Sequence, residues 1–92
     1  MEIVLFLDKK EMDVLFKQNP ITISDGGFQR LMITLQRKCD QSTGIITLNE
    51  TLLKRIRNYA FNYGQGGLED RLMAIFGRHL GSELDACITL LD

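Results

Sequence analysis

Residues Gly26 to Lys38 read GGFQRLMITLQRK, and this segment carries the clearest helical pattern of the chain. Its large apolar residues recur at the spacing i, i+3, i+4 and i+7, which places them on one face of an α-helix: Phe28, Leu31, Met32 and Leu35. Ser24 and Asp25 precede the segment and offer oxygens suited to capping its first turn. We therefore expect a helix that buries one apolar face in a core.

Short apolar segments outside this helix predict strands. Ile3 to Leu7 is apolar throughout and bounded by charge, which favours a strand buried on both faces. Ile45 to Leu48 follows a turn at Gly44 and is short and β-branched, which is typical of a second strand. Cys87 to Leu91 is too short to distinguish a strand from a helix by its period, and we favour a third strand there.

Capping residues predict a short helix after the first strand. Asp8 and Glu11 are three residues apart, as in a capping box, and the helix that they open is expected to run to about Asn19. Pro20 disfavours helical geometry at the residue before it and so ends that helix. Ile21 to Ile23 is then expected to be an extended connection.

Two further helices are predicted in the second half of the chain. Asn49 is a suitable N-cap for a third helix with the apolar face Leu52, Ile56, Tyr59, Ala60 and Tyr63. Glycines at 64, 66 and 67 end it, and a fourth helix ending at Gly81 has the face Leu68, Leu72, Ile75, Phe76, His79 and Leu80. The expected fold is α+β, with a small two- or three-stranded sheet packed against three to four helices. Because 92 residues leave little interior for a second core, residues 1–92 are expected to form a single domain.

Composition limits the classes of function. Hydrophobic residues make up 45% of the chain and the formal net charge is -1, which suits a globular protein and argues against coating nucleic acid by bulk attraction. No apolar run approaches a transmembrane length, and no basic region of a secretory signal precedes Ile3 to Leu7. We expect a cytoplasmic protein in which Cys39 and Cys87 are reduced, partly buried thiols.

The sequence contains no recognisable catalytic set. His79 is its only histidine, lies on the apolar face of the fourth helix and is expected to be structural. The glycine-rich YGQGGLED lacks the spacing of a phosphate-binding loop and follows a helix rather than a strand. We therefore expect a protein that is not an enzyme and that uses no cofactor, metal or small-molecule substrate.

Basic residues are the strongest candidates for contact with a partner. If the second and fourth helices pack side by side, their arginines are expected to merge into a cationic strip for phosphates or carboxylates. The ordinary alternative is that each is a solvated surface charge. The candidate residues are Arg30, Arg37, Lys38, Lys54, Arg55, Arg57, Asn58, Arg71 and Arg78.

The segments DGGFQRLM, residues Asp25 to Met32, and TLNETLLKRIRNYAFNYGQGGLEDRLMAIFGRHLG, residues Thr47 to Gly81, resemble small bacteriophage proteins. The chain resembles in particular the phage anti-CRISPR proteins directed against type I-F systems, over about Ser24 to Gly81. This resemblance implies an inhibitor in the host bacterial cytoplasm that binds the multi-subunit Cas protein complex with its crRNA and blocks recognition or hybridisation of target DNA. It also implies a possible direct contact with the guide RNA.

The residue pattern is compatible with two other functions. A small phage regulator would read nucleic acid with the third helix, using Lys54, Arg55, Arg57 and Asn58. An enzyme would need an acid, a base and a nucleophile brought together from scattered carboxylates and one histidine. The carboxylates near the first helix, including Asp8 and Glu11, have capping as their ordinary role.

Overall fold

The computed structural model describes residues 2–61 and 70–80, which contain both strands and helices. The elements with defined bounds are β1 (Glu2–Phe6), α1 (Lys9–Phe16), a 3-10 helix (Pro20–Ser24), α2 (Gly27–Lys38), β2 (Ile45–Asn49) and α3 (Glu50–Phe61). Residues 70–80 are also helical and are called α4. This arrangement confirms the predicted α+β fold class.

β1 and β2 form a two-stranded antiparallel sheet in which Leu5 lies opposite Ile46. The ladder continues past β1, because the N–H of Leu7 donates to the carbonyl oxygen of Gly44 at 2.8 Å. Gly44 has a φ of 80°, and a Cβ atom there would overlap the Leu7 carbonyl oxygen. The turn into β2 therefore requires glycine.

The two faces of β1 have different environments. Leu5 lies in the core, whereas Val4 and Phe6 on the opposite face are 54% and 63% exposed. The prediction of a strand buried on both faces is therefore wrong. Because neighbouring residues of a strand point to opposite faces, an entirely apolar sequence does not show that both faces are covered.

α1 begins with the predicted capping box. The Asp8 side chain accepts from the Glu11 N–H and the Glu11 side chain accepts from the Asp8 N–H, both at 2.8 Å. The helix ends at Phe16, earlier than expected, and Pro20–Ser24 is a 3-10 helix rather than an extended connection. Pro occupies the first position of that helix and the Asn19 side chain caps it, which together favour a helical turn.

α2 spans Gly27–Lys38, within the segment whose apolar spacing predicts it, and buries its four predicted apolar residues together with Ile33. Its predicted cap is wrong. The N-cap is Gly26, which makes no side-chain capping bond, whereas Ser24 and Asp25 complete the preceding 3-10 helix. Ser24 and Asp25 therefore do not cap α2, because they belong to the end of a 3-10 helix that the sequence did not predict.

α3 and α4 also present the predicted apolar faces. Asn49 accepts from the N–H of Leu52 at 2.8 Å, which confirms it as the cap of α3. Among the predicted residues of these two helices, the buried ones are Leu52, Ile56, Leu72, Ile75, Phe76 and Leu80. They join residues of α1, α2 and the sheet in one hydrophobic cluster.

α2 and α3 approach closely at the start of α2. A Cβ atom on Gly27 would overlap the hydroxyl of Tyr59, and the Tyr59 ring meets Phe28 edge to face with centroids 5.7 Å apart. These contacts fix α2 against α3 and set the positions of their outward side chains. Several predictions fall outside the described residues. They concern the side chains of Ala60, Tyr63 and Leu68, the end of the fourth helix at Gly81, and the third strand at Cys87 to Leu91.

Candidate binding surface

The outward face of α2 carries only positive charge. Arg30, Arg37 and Lys38 are exposed, and no acidic residue occurs anywhere in the helix. Arg30 and Arg37 are separated by two helical turns, so they lie on the same side about 10 Å apart along the axis. This stripe, called the α2 stripe below, comprises three of the sequence-predicted residues.

α3 packs against α2 and holds four more of the predicted residues. Lys54 and Asn58 are exposed and four positions apart, whereas Arg55 and Arg57 are half-buried. Arg57 and Asn58 each have an interaction partner within the chain. Lys54 is therefore the exposed cation of this set.

Charge is strongly segregated along the sequence. Residues 26–61 contain six basic and two acidic residues, a net charge of +4. The rest of the chain contains five basic and ten acidic residues, a net charge of -5, so the overall value of -1 conceals two opposite regions. The segment that folds as α2, β2 and α3 is thus the cationic part of an otherwise acidic chain.

The arginines of α4 have a different environment from the α2 stripe. Arg71 donates to Oε1 of Gln18 at 2.9 Å, and its Cζ atom lies 5.9 Å from the ring centroid of Phe28. These contacts hold the guanidinium between the end of α1 and the first turn of α2. No carboxylate among the described residues lies within ion-pair distance of it.

Arg78 is bound to acidic residues of the chain itself. It donates to both carboxylate oxygens of Glu11, at 2.9 and 3.3 Å, and to the carbonyl oxygen of Phe6 at 3.3 Å. One Asp8 oxygen also lies 4.0 Å away. Its charge is therefore largely balanced within the chain, where it ties α4 to the start of α1.

Glu11 is the buried centre of this cluster, with 5% of its surface exposed. Burial raises the pKa of its carboxyl, but hydrogen bonds from Arg78, from the Asp8 backbone and from His79 outweigh burial and lower that pKa from 4.5 to about 2. Nε2 of His79 lies 3.0 Å from Glu11 Oε1 and 3.1 Å from Nη2 of Arg78, and it donates to the carboxylate when that nitrogen carries the proton. The same bond with Glu11 raises the pKa of Arg78.

The structure thus separates the predicted basic residues into two groups. Arg30, Arg37 and Lys38 form one exposed stripe, with Lys54 exposed on the adjacent helix. Arg71 instead contacts Gln18, just after α1, and Arg78 contacts Glu11 within α1. The merging of α2 and α4 arginines into one strip remains a prediction, and the α2 stripe is the better defined part of it.

The histidine and the described cysteine are both held by contacts within the fold. The His79 side chain is only 10% exposed and is bound to Glu11. Burial raises the pKa of the Cys39 thiol, and the neighbouring Asp40 carboxylate raises it further. Within residues 2–61 and 70–80, no group of three or more His, Cys, Asp or Glu is arranged to hold a metal ion. Cys87 lies outside the described ranges.

The sequence did not predict three features of the structure. The capping box identified Glu11 but gave no sign that Arg78, 67 residues away, binds it. The exposure of Phe6 was hidden by its wholly apolar strand. Lys17 and Arg71 line a common cleft, described below, and nothing in the local sequence of either residue indicates this proximity.

Comparison with protein-family models, with curated proteins and with solved structures finds no match to this chain. Within the described part of the chain, no helix has the length and apolar character needed to cross a membrane. The function is therefore inferred from the chemistry of the residues.

Proposed function

We propose that this chain is a non-catalytic inhibitor that docks on a crRNA-guided type I-F surveillance complex and blocks recognition or hybridisation of target DNA. The docking surface would consist of the α2 stripe and Lys54 of α3, together called the α2–α3 surface. The observation that carries the proposal is the exposed α2 stripe within a segment of net charge +4. The resemblance of Ser24 to Gly81 to phage anti-CRISPR proteins supports the choice of partner.

The α2 stripe suits a partner that displays phosphates or clustered carboxylates. Arg30 and Arg37 are exposed, and no carboxylate of the described residues pairs with either of them. Guanidinium groups form forked hydrogen bonds with both kinds of anion, which gives orientation as well as attraction. A guide RNA and an acidic protein surface both offer such groups, so direct contact with RNA is part of the proposal.

The acidic remainder of the chain complements the same partner. A surveillance complex holds its guide–target duplex in a positively charged channel. An inhibitor that presents positive charge to the guide RNA and negative charge to the channel would bind across both and exclude the DNA. The opposite net charges of +4 and -5 in the two parts of the chain are consistent with this arrangement.

Co-purification tests the proposal most simply. The tagged chain would be mixed with purified type I-F surveillance complex, with naked crRNA and with duplex DNA as separate baits. We expect retention of the intact complex at a fixed molar ratio and loss of its binding to target DNA. Failure to retain the complex would refute this choice of partner.

A second candidate function uses α3 to bind nucleic acid directly. Lys54 and Asn58 are exposed four positions apart, which favours a recognition helix, although Arg55 and Arg57 are half-buried. This function predicts binding to naked duplex or RNA that weakens steeply with salt. Retention of naked nucleic acid without the complex would favour it over the inhibitor.

A further inference from the structure

We propose that the cleft between α1, the 3-10 helix, the start of α2 and α4 is a binding site for a phosphate group. The cleft has a volume of about 450 Å³. Among the described residues, its polar lining consists of Lys17, Gln18, Asn19, Thr22, Gln29 and Arg71 and includes no acidic side chain. The site is separate from the α2 stripe and does not depend on the choice of macromolecular partner.

Two cations of the described part of the chain face this cleft, and no carboxylate there pairs with them. Lys17 is exposed, and neither it nor Arg71 forms an ion pair with any residue in the described ranges. Arg78, on the same helix as Arg71, shows the contrasting arrangement, since Glu11 and Asp8 balance its charge. A bound anion would supply the missing negative charge at Lys17 and Arg71.

The hydrogen bonds of the cleft hold its groups in place. Oε1 of Gln18 accepts from Arg71 at 2.9 Å, and Nε2 of Gln18 donates to the Thr22 hydroxyl at 2.7 Å. Gln18 is itself anchored, because its backbone carbonyl oxygen accepts from the Gln36 side chain at 2.8 Å. Arg71 uses one nitrogen for Gln18, so the other guanidinium N–H groups are left to bind a ligand.

Neutral donors complete the site. Oδ1 of Asn19 accepts from the backbone N–H of Ile21 at 3.0 Å, which leaves its NH₂ group as the end able to donate to a ligand. Gln29 adds a second side-chain amide. An ammonium, a guanidinium and two amides form a donor set suited to the several acceptor oxygens of phosphate.

The size of the cleft distinguishes a phosphate ester from the bare ion. A volume of about 450 Å³ exceeds the space that inorganic phosphate fills, and Val14 adds an apolar part to the lining. An attached ribose would occupy the remaining space. A free nucleotide and an RNA strand share this chemistry, and they are separated by experiment.

The experiment follows backbone amide NMR signals of the full chain during titration with inorganic phosphate, with sodium chloride at matched ionic strength as the salt control. We expect saturable shifts at Gln18, Asn19, Thr22 and Gln29 that chloride does not produce. Lys17→Gln should weaken phosphate binding about tenfold, because it removes a charge-assisted hydrogen bond. Lys9→Gln, at an exposed lysine at the other end of α1, should leave binding unchanged.

Arg71→Gln should weaken binding similarly, and thermal unfolding would check that loss of its Gln18 and Phe28 contacts has not unfolded the protein. Lys17→Gln keeps the test decisive, since Lys17 is exposed and makes no ion pair among the described residues. Absent shifts, shifts reproduced by chloride, or binding unchanged in Lys17→Gln would overturn the proposal. Tighter binding of a single-stranded RNA than of adenosine monophosphate would identify a nucleic-acid phosphate as the ligand, and the reverse order would identify a free nucleotide.

Discussion

Glu11 combines deep burial with a negative charge, a combination that is unfavourable unless donors surround the carboxylate. Arg78, His79 and the Asp8 N–H supply those donors at 2.8 to 3.0 Å. The residue therefore has two roles, since it caps α1 and links that helix to α4. Its ionisation should be visible in the stability of the protein.

Acid should destabilise the fold through Glu11. Its pKa falls from an ordinary 4.5 to about 2 in the folded state, so its stabilising effect is fully present above about pH 5 and is lost as the pH falls from there toward 2. A shift of this size corresponds to about 3 kcal/mol in the free energy of unfolding. Urea denaturation at a series of pH values between 2 and 7 would measure it.

Glu11→Gln isolates this contribution. The amide still accepts from the Asp8 N–H but loses the ion pair with Arg78. We therefore expect about 2 kcal/mol of destabilisation at pH 7 and a smaller fall in the free energy of unfolding between about pH 5 and pH 2. Asp13→Asn, an exposed position of the same helix, should change stability by less than about 0.5 kcal/mol. If the free energy of unfolding of Glu11→Gln fell as steeply below about pH 5 as that of the original chain, the role assigned to Glu11 would be contradicted.

At the level of the elements, the turn into β2 depends on backbone conformation. Gly44→Ala places a Cβ atom against the Leu7 carbonyl oxygen at a φ of 80°. We expect about 1–3 kcal/mol of destabilisation by chemical denaturation, because both the strain and the overlap disturb the β1–β2 ladder.

Gly77→Ala is the matched control for this substitution. Gly77 lies within α4, and among the described residues the new methyl group would meet the Met73 side chain, whose flexible end lies 3.3 Å away. Alanine favours a helix interior over glycine by about 0.5–1 kcal/mol, so this variant should be neutral or more stable. Equal losses in the two variants would show that the turn at Gly44 has no special requirement.

The start of α3 depends on its cap. Asn49→Ala removes the oxygen that accepts from the Leu52 N–H at 2.8 Å and should cost about 1 kcal/mol in thermal or chemical denaturation. Asn49→Asp, which keeps a side-chain oxygen able to accept from the Leu52 N–H, is the matched control and should cost much less. An equal loss in Asn49→Asp and Asn49→Ala would contradict the capping role.

Local features of the elements were predictable from the sequence. The capping box at Asp8, the cap at Asn49 and the apolar face of α2 depend on residues within one or two helical turns. Features that depend on distant residues were not predictable. The exposed face of β1 depends on where the helices pack, and the pairing of Glu11 with Arg78 spans 67 residues.

The candidate site divides in the same way. Helical spacing alone placed Arg30 and Arg37 on one face of α2, where the structure also has them. The Arg71 contact with Gln18 spans 53 residues, so no local pattern could show that Arg71 lies beside α1. The sequence therefore predicted the α2 stripe, but it did not predict the cleft.

For the whole molecule, the segregation of charge has more functional weight than the net charge. A chain of net charge -1 attracts neither polyanions nor polycations strongly, whereas a segment of +4 within it provides a defined site of attraction. The contacts of Phe28 and Gly27 with Tyr59 fix α2 against α3. These contacts hold the cationic groups of α2 in a fixed position relative to α3.

The most direct test measures affinity for the purified type I-F surveillance complex with two variants of equal charge change. Arg30→Glu/Arg37→Glu reverses two charges of the α2 stripe, and Lys9→Glu/Lys10→Glu reverses two exposed charges of α1. We expect the α2 variant to bind at least about tenfold more weakly and to lose part of the salt dependence, while the α1 variant binds like the original chain. Equal affinity for all three proteins, or an equal loss in both variants, would contradict docking through the α2–α3 surface.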